Sequence, residues 1–129
     1  MTSLSNNTSS EWVKRIQSIL SKSSLRYEVE EAIRIHVDDI IIQIGESSDG
    51  LLSVSFSISL PSESSKEEIE RVVQSFEKAL HMSSILEQGE LSYELDTSLP
   101  NYPVLYIVRK YRDTDALILD VEKMLKAIS

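Results

Sequence analysis

The sequence contains no cysteine, which excludes disulfide bonds, cysteine-ligated zinc sites and thiol catalysis. Only three glycines and three prolines occur in 129 residues, so we expect few tight loops and mostly regular structure. The glycines, at positions 45, 50 and 89, form neither a Gly-rich phosphate-binding loop nor a G-x-S-x-G nucleophile elbow. We therefore assign no catalytic, cofactor-binding or metal-binding residue, and we expect no cofactor.

Basic residues are also scarce, with 13 Lys and Arg against 21 Asp and Glu and a formal net charge of −8. Binding to phosphates needs a basic surface, so the charge argues against a nucleic-acid partner. No apolar run approaches the roughly 18 residues of a membrane span. The polar first ten residues lack the apolar stretch of an export signal, so we expect a cytoplasmic protein without membrane association.

The composition that remains is typical of a globular protein, with 41% hydrophobic and 26% charged residues. A chain of this length is enough for one ordinary domain with its own core and too short for two. We predict a disordered polar tail over residues 1–8 and a single α+β domain over residues 9–129.

Three segments have the apolar spacing of amphipathic helices. The first covers about Ser9 to Ser21, with Thr8, Ser9 or Ser10 as its capping residue. The second begins at Ser65 or one residue earlier, since Ser65-x-x-Glu68 has the spacing of a capping box. The third has a stripe formed by Leu117, Ile118, Val121, Met124, Leu125 and Ile128.

Four segments alternate as strands do. They are a long segment over 25–37, a short one over 40–44, a clear one over 52–60 with serine at every second position, and one over 91–95. A fifth strand over 104–108 is apolar throughout. The predicted order is α-β-β-β-α-β-β-α. The predicted fold class is α+β, a two-layer sandwich of an antiparallel sheet with helices on one face.

This element order, in a small acidic chain, resembles the secretion-chaperone-like fold of type III secretion chaperones and the related YbjN-type domains. The resemblance covers nearly the whole chain from Ser9 onward and rests on order and size. Secretion chaperones are homodimers that wrap an extended segment of a client protein over apolar surface patches. The resemblance therefore implies dimerisation and peptide binding, and it carries no functional residue over to this chain.

Two sets of residues could support chemistry. His36, Asp38 and Asp39 place one imidazole near two carboxylates, a possible ligand set for a metal that Asp96 or His81 could complete. We favour the explanation that His36 continues a solvated strand face and that the aspartates form a turn. Glu31 interrupts the apolar face of the first strand and would act as a general base if buried. The alternative is a bulge or an edge position that leaves Glu31 in water.

A cluster of aromatic and basic residues lies near the fifth strand, formed by Tyr102, Tyr106, Arg109, Lys110 and Tyr111. Such residues stack and hold bases in proteins that bind single-stranded nucleic acid. Because the chain is strongly acidic, we favour ordinary packing within the sheet.

The fifth strand is apolar on both faces, whereas helices on one side of a sheet cover only one of them. We predict that the second face forms a dimer or client interface, with a loop or helix of the same chain as the alternative cover. The predicted interface residues are Ile41, Tyr102, Val104, Leu105, Tyr106, Ile107 and Val108.

The function that we predict is a non-enzymatic protein- or peptide-binding domain, chaperone-like and homodimeric, with an unidentified client. Two alternatives stay open. One is a small metal-dependent or acid–base enzyme that uses His36, Asp38 and Glu31. The other is a structural subunit of a larger assembly.

Overall fold

A computed structural model of the chain describes residues 2–61 and 65–128, without the side chains of residues 2–10. The helices are α1 (Thr2–Ser21), α2 (Lys66–Ile85) and α3 (Thr114–Ile128). The strands are β1 (Arg26–Val29), β2 (Ile33–Val37), β3 (Ile40–Glu46), β4 (Leu52–Ser59), β5 (Glu90–Asp96) and β6 (Val104–Tyr111). The predicted α+β class, with helices on one face of an antiparallel sheet, is confirmed.

All six strands form one sheet in the order β1-β2-β3-β4-β6-β5. The first four strands follow one another as antiparallel hairpins. Helix α2 then carries the chain to the edge strand β5, and β6 returns between β5 and β4. The sheet therefore has two edges, at β1 and at β5.

The long alternation over 25–37 forms two strands and not one. A turn over residues 30–32, closed by a 3.1 Å bond from the Glu30 amide to the Ala32 carbonyl, separates β1 from β2. Val29 pairs directly with Ile33 across a turn of three residues. The odd-numbered residues of β1 and β2 therefore lie on the same face of the sheet, as they would in one continuous strand. Glu31 is exposed in this turn, which accounts for the break in the apolar pattern.

The two faces of the sheet differ sharply. On the helix face, Val54, Phe56 and Ile58 of β4 are buried, as expected from their alternation with serines. The helix face supplies the sheet side of the core, and burial of each such side chain stabilises the fold by about 1.5–3 kcal/mol. The side chains of opposite parity form the open face, on which no described helix packs.

Helix boundaries agree with the sequence patterns in part. Helix α1 begins at Thr2 and not at Ser9, and the side chains of its proposed capping residues lie outside the described ones. At α2 the predicted cap at Ser65 is confirmed, because its hydroxyl accepts a 3.2 Å bond from the Glu68 amide. The alternative cap, Ser64, lies outside the described residues.

Candidate functional site

The residues proposed for chemistry do not come together. Glu31 and Asp38 lie in the turns at opposite ends of β2, about 20 Å apart at the usual rise per strand residue. His36 lies on the open face, 3.0 Å from a carboxylate oxygen of Glu28, and this contact lowers the pKa of Glu28. Asp38 forms an ion pair with Lys78 of α2.

No metal centre emerges from the described ranges 2–61 and 65–128, where no three His, Asp or Glu side chains are grouped to hold an ion. Asp39, the third proposed ligand, is exposed beside Asp38 in the β2–β3 turn. The turn explanation of the two aspartates fits this geometry.

A surface pocket lies where α1, the β3–β4 hairpin and the end of β6 meet. Its lining includes Trp12, Glu46, Leu52, Tyr111, Arg112 and Thr114. The Tyr111 hydroxyl donates a 2.7 Å bond to Asp120 of α3 and is therefore engaged within the protein. Burial, together with this bond, raises the pKa of Tyr111 far above its ordinary value. The phenol stays protonated near neutral pH and does not act as a base there.

The connection between α2 and β5 is held by partly buried hydrogen bonds from Gln88 and Arg109. Asp120 also accepts a 2.8 Å bond from the Gln88 amide. Arg109 of β6 donates to the Gly89 carbonyl at 2.9 Å and to the Ser83 hydroxyl at 3.1 Å. A cation at the end of a helix also complements the helix dipole. These contacts fix where β5 begins relative to the end of α2.

Residues of the predicted aromatic–basic cluster are thus used inside the fold. Arg109 and Tyr111 face the helices, while Lys110 lies 2.9 Å from Asp49 of the β3–β4 hairpin. Sequence reasoning missed Asp120, although a signal was present. Asp120 lies between Leu117 and Met124 at helical spacing, so an acidic residue occupies the apolar stripe of α3.

The outer edge of β5 is the most exposed apolar part of the sheet. Among the described strands, β5 pairs only with β6, and α2 packs over β4 and β6. The helix-face side chains of β5 therefore stay uncovered, with Leu91 40%, Tyr93 54% and Leu95 59% exposed. An unpaired edge with apolar side chains is a template for another strand.

Helix α2 also carries exposed apolar side chains. Ile69 and Val73 are 47% and 48% exposed and lie on one flank of the helix. Lys78 lies on the opposite flank and pairs with Asp38 in the β2–β3 turn. Ile69 and Val73 therefore lie on the flank away from the β2–β3 turn. We call the exposed apolar side chains of β5, Leu91, Tyr93 and Leu95, the edge surface.

The other side of β5 is acidic. Glu90, Glu94 and Asp96 project onto the open face, and only Glu90 has a basic cross-strand neighbour, Lys110. Hydrogen bonds from Ser98 lower the pKa of Asp96. Strand β5 is thus apolar on its helix face and anionic on its open face.

The predicted interface residues fall into three places. Ile41, Val104, Tyr106 and Val108 share the open face, as predicted. Leu105 and Ile107 point to the helix face, where Ile107 is fully buried in the core. Tyr102 is exposed in the loop between β5 and β6. The structure therefore brings four of the seven residues onto one surface, and their role in an interface stays a prediction.

Charge on the open face is distributed unevenly. Arg26 and Arg34 project from β1 and β2 at one end, beside the His36–Glu28 contact. The three carboxylates of β5 lie at the other end. Between them, β4 contributes only serines, which leave a low strip beside the larger side chains of β3 and β6.

None of the described helices is both long enough and apolar enough to cross a membrane. No family model, curated protein or solved structure matches this chain.

Proposed function

We propose that this chain is a non-enzymatic, chaperone-like protein-binding domain that acts as a homodimer and binds an extended client segment along the edge of β5. The observation that carries the proposal is the free edge of β5, flanked by the uncovered edge surface. Extended peptides commonly bind by adding a strand to such an edge. The resemblance to secretion chaperones belongs to the same proposal, since their clients also bind as extended segments.

Backbone hydrogen bonds to β5 supply affinity in this arrangement, and alternate side chains of the client supply specificity. Every second client side chain points to the helix face, where Leu91, Tyr93 and Leu95 offer exposed apolar contacts. We therefore expect apolar residues at alternate positions of the client.

The acidic side of β5 determines the remaining client positions. There the client faces Glu90, Glu94 and Asp96, so Lys or Arg at these positions gives favourable cross-strand pairs. The same charges oppose pairing of β5 with β5 of a second copy, because six carboxylates would share one face. The edge thus favours a basic, foreign strand over self-association.

A labelled ten-residue peptide that alternates valine and lysine tests this proposal by fluorescence anisotropy. We expect it to bind, and we expect a valine–glutamate peptide of equal length not to bind. The variant Leu95→Glu introduces a charge at a largely exposed site of the edge surface and should abolish binding. Leu119→Glu on α3, at a 52% exposed leucine away from the edge, is the matched control.

Charge reversal at the ends of β5 tests the specificity separately. The double variant Glu90→Lys with Asp96→Lys should lose the lysine peptide and gain the glutamate peptide. The proposed site would be refuted if wild type bound the two peptides equally well. It would also be refuted if Leu95→Glu bound the lysine peptide as tightly as wild type does.

A further inference from the structure

We propose that the open face is covered by a second copy of this chain, with the two sheets packed face to face about a two-fold axis parallel to the strands. This inference rests on the homodimer of the proposed function and names the surface that forms it. The charge, shape and area of the open face favour a second copy as its occupant.

One row of residues in register crosses the open face from edge to edge. Arg26 pairs with His36, His36 with Ile41, Ile41 with Ser57, Ser57 with Tyr106 and Tyr106 with Glu94 across the six strands. Arg26 and Glu94 are therefore level along the strands and lie at opposite edges of the sheet. Both side chains are exposed.

A two-fold axis parallel to the strands reverses the order of the strands in the second copy. It leaves the position of each residue along the strand direction unchanged. Each β1 then lies over β5 of the second copy, which places Arg26 against Glu94 of that copy, twice per dimer. A two-fold axis across the strands would place β1 over β1 and β5 over β5, which stacks the carboxylates on one another. Electrostatic complementarity therefore selects the first arrangement.

The sizes of the side chains on the open face also favour the two-fold axis parallel to the strands. Reversal of the strand order also places β3 over β4 of the second copy, so Ile41, which is 39% exposed, lies over the low serine strip at Ser57. His36 lies over Tyr106 in the same row. Aligned sheets in β-sandwiches interdigitate in this way at about 10 Å separation.

The open face is large enough to form a dimer interface. Six strands at about 4.8 Å spacing and seven to eight residues in the longer strands give a face of roughly 24 Å by 25 Å. The projected area is about 600 Å² per copy, or about 1,200 Å² in total, which is at the lower end of the range for stable interfaces. The strand position outside β5 stays free, so a dimer of this kind leaves the client edge open.

Charge reversal across copies tests the interface directly. We expect wild type to be a dimer by light scattering at low salt, and Arg26→Glu and Glu94→Arg each to raise the dimer dissociation constant at least about tenfold. Mixing the two variants should restore a dimer, because the heterodimer has opposite charges at both contacts. Rescue within one chain is excluded, since the two residues lie at opposite edges of the sheet.

The matched control is Glu70→Arg, at an exposed site on α2, which should leave the dimer unchanged. Thermal melting monitored by circular dichroism checks that every variant is folded. A wild-type monomer over a hundredfold concentration range, or a mixture that stays monomeric, overturns the inference. Peptide binding is read with Leu95→Glu, which lies outside this face, so failure of the dimer and failure of the client site are distinguishable.

Discussion

The hydroxyl group of Tyr111 on β6 donates a 2.7 Å hydrogen bond to the carboxylate of Asp120 on α3. Asp120 is fully buried and Tyr111 is 2% exposed, so this bond replaces water for both groups. A buried carboxylate that loses a donor carries the cost of its desolvation. The pair thus links the sheet to the helix layer, and we expect loss of this contact to lower the free energy of unfolding.

Removal of this hydroxyl group should be costly. We expect Tyr111→Phe to lower the free energy of unfolding by about 1–3 kcal/mol, because one of the donors to buried Asp120 is lost. Urea denaturation measures the change. Tyr106→Phe, on the open face, is the control and should have little effect. Equal stability of wild type and Tyr111→Phe would contradict the assigned role.

Stability at high pH should depend on the same residue. The pKa of Tyr111 is raised in the folded protein, mainly by burial, so folding favours its neutral form. This contribution is fully present below the ordinary tyrosine pKa of about 10 and is lost as the pH rises above it. Wild type should therefore lose more unfolding free energy than Tyr111→Phe above about pH 10. Parallel pH profiles of the two proteins would be inconsistent with this.

Asp49 should account for part of the loss of folding stability at low pH. Hydrogen bonds from Ser47 and Lys110 hold the pKa of Asp49 well below its usual range. The ionised form is favoured by folding, so its contribution is present above the unfolded value of about 3.9 and is lost as the pH falls below it. We expect Asp49→Asn to flatten the stability profile between about pH 5 and about pH 2. Chemical denaturation across that range is the measurement, and an unchanged slope would refute the assignment.

Gly89 should not tolerate a side chain. A Cβ atom there would lie 2.7 Å from the Tyr111 ring and 2.9 Å from the Arg109 Cβ atom. We expect Gly89→Ala to destabilise the fold by about 1–3 kcal/mol through overpacking. A double-mutant cycle with Tyr111→Leu should reduce that cost, since the ring is removed. Additive effects in the cycle would show that the ring is not the obstacle.

The fold class was predictable from the sequence because most of it depends on local alternation. The serines at every second position of β4 are enough to distinguish its buried face from its open face. The turn over residues 30–32 was not predicted, because an odd-length turn keeps the parity of the residues on either side. Periodicity alone cannot reveal such a break.

The candidate site was less predictable, since it depends on which strands become neighbours. The exposure of Leu91 and Leu95 follows from the position of β5 at the sheet edge, which only long-range pairing determines. For the same reason, the sequence does not show which face of β6 the helices cover, so the predicted interface includes Leu105 and Ile107, which face the helices. Asp120 could have been found, because a lone carboxylate on an apolar helix stripe predicts a buried polar contact.

The insertion of β6 between β4 and β5 has a consequence for how the chain folds. Strands β1 to β4 can form through successive hairpins, whereas β4 must wait for residues 104–111 to cover its second edge. Leu52 and Tyr111 pair across 59 positions of sequence, so this step is non-local and slow relative to hairpin closure. Until residues 104–111 have been synthesised, the second edge of β4 remains unpaired. Aggregation during synthesis should therefore start at β4, whose second edge has no partner strand until β6 forms.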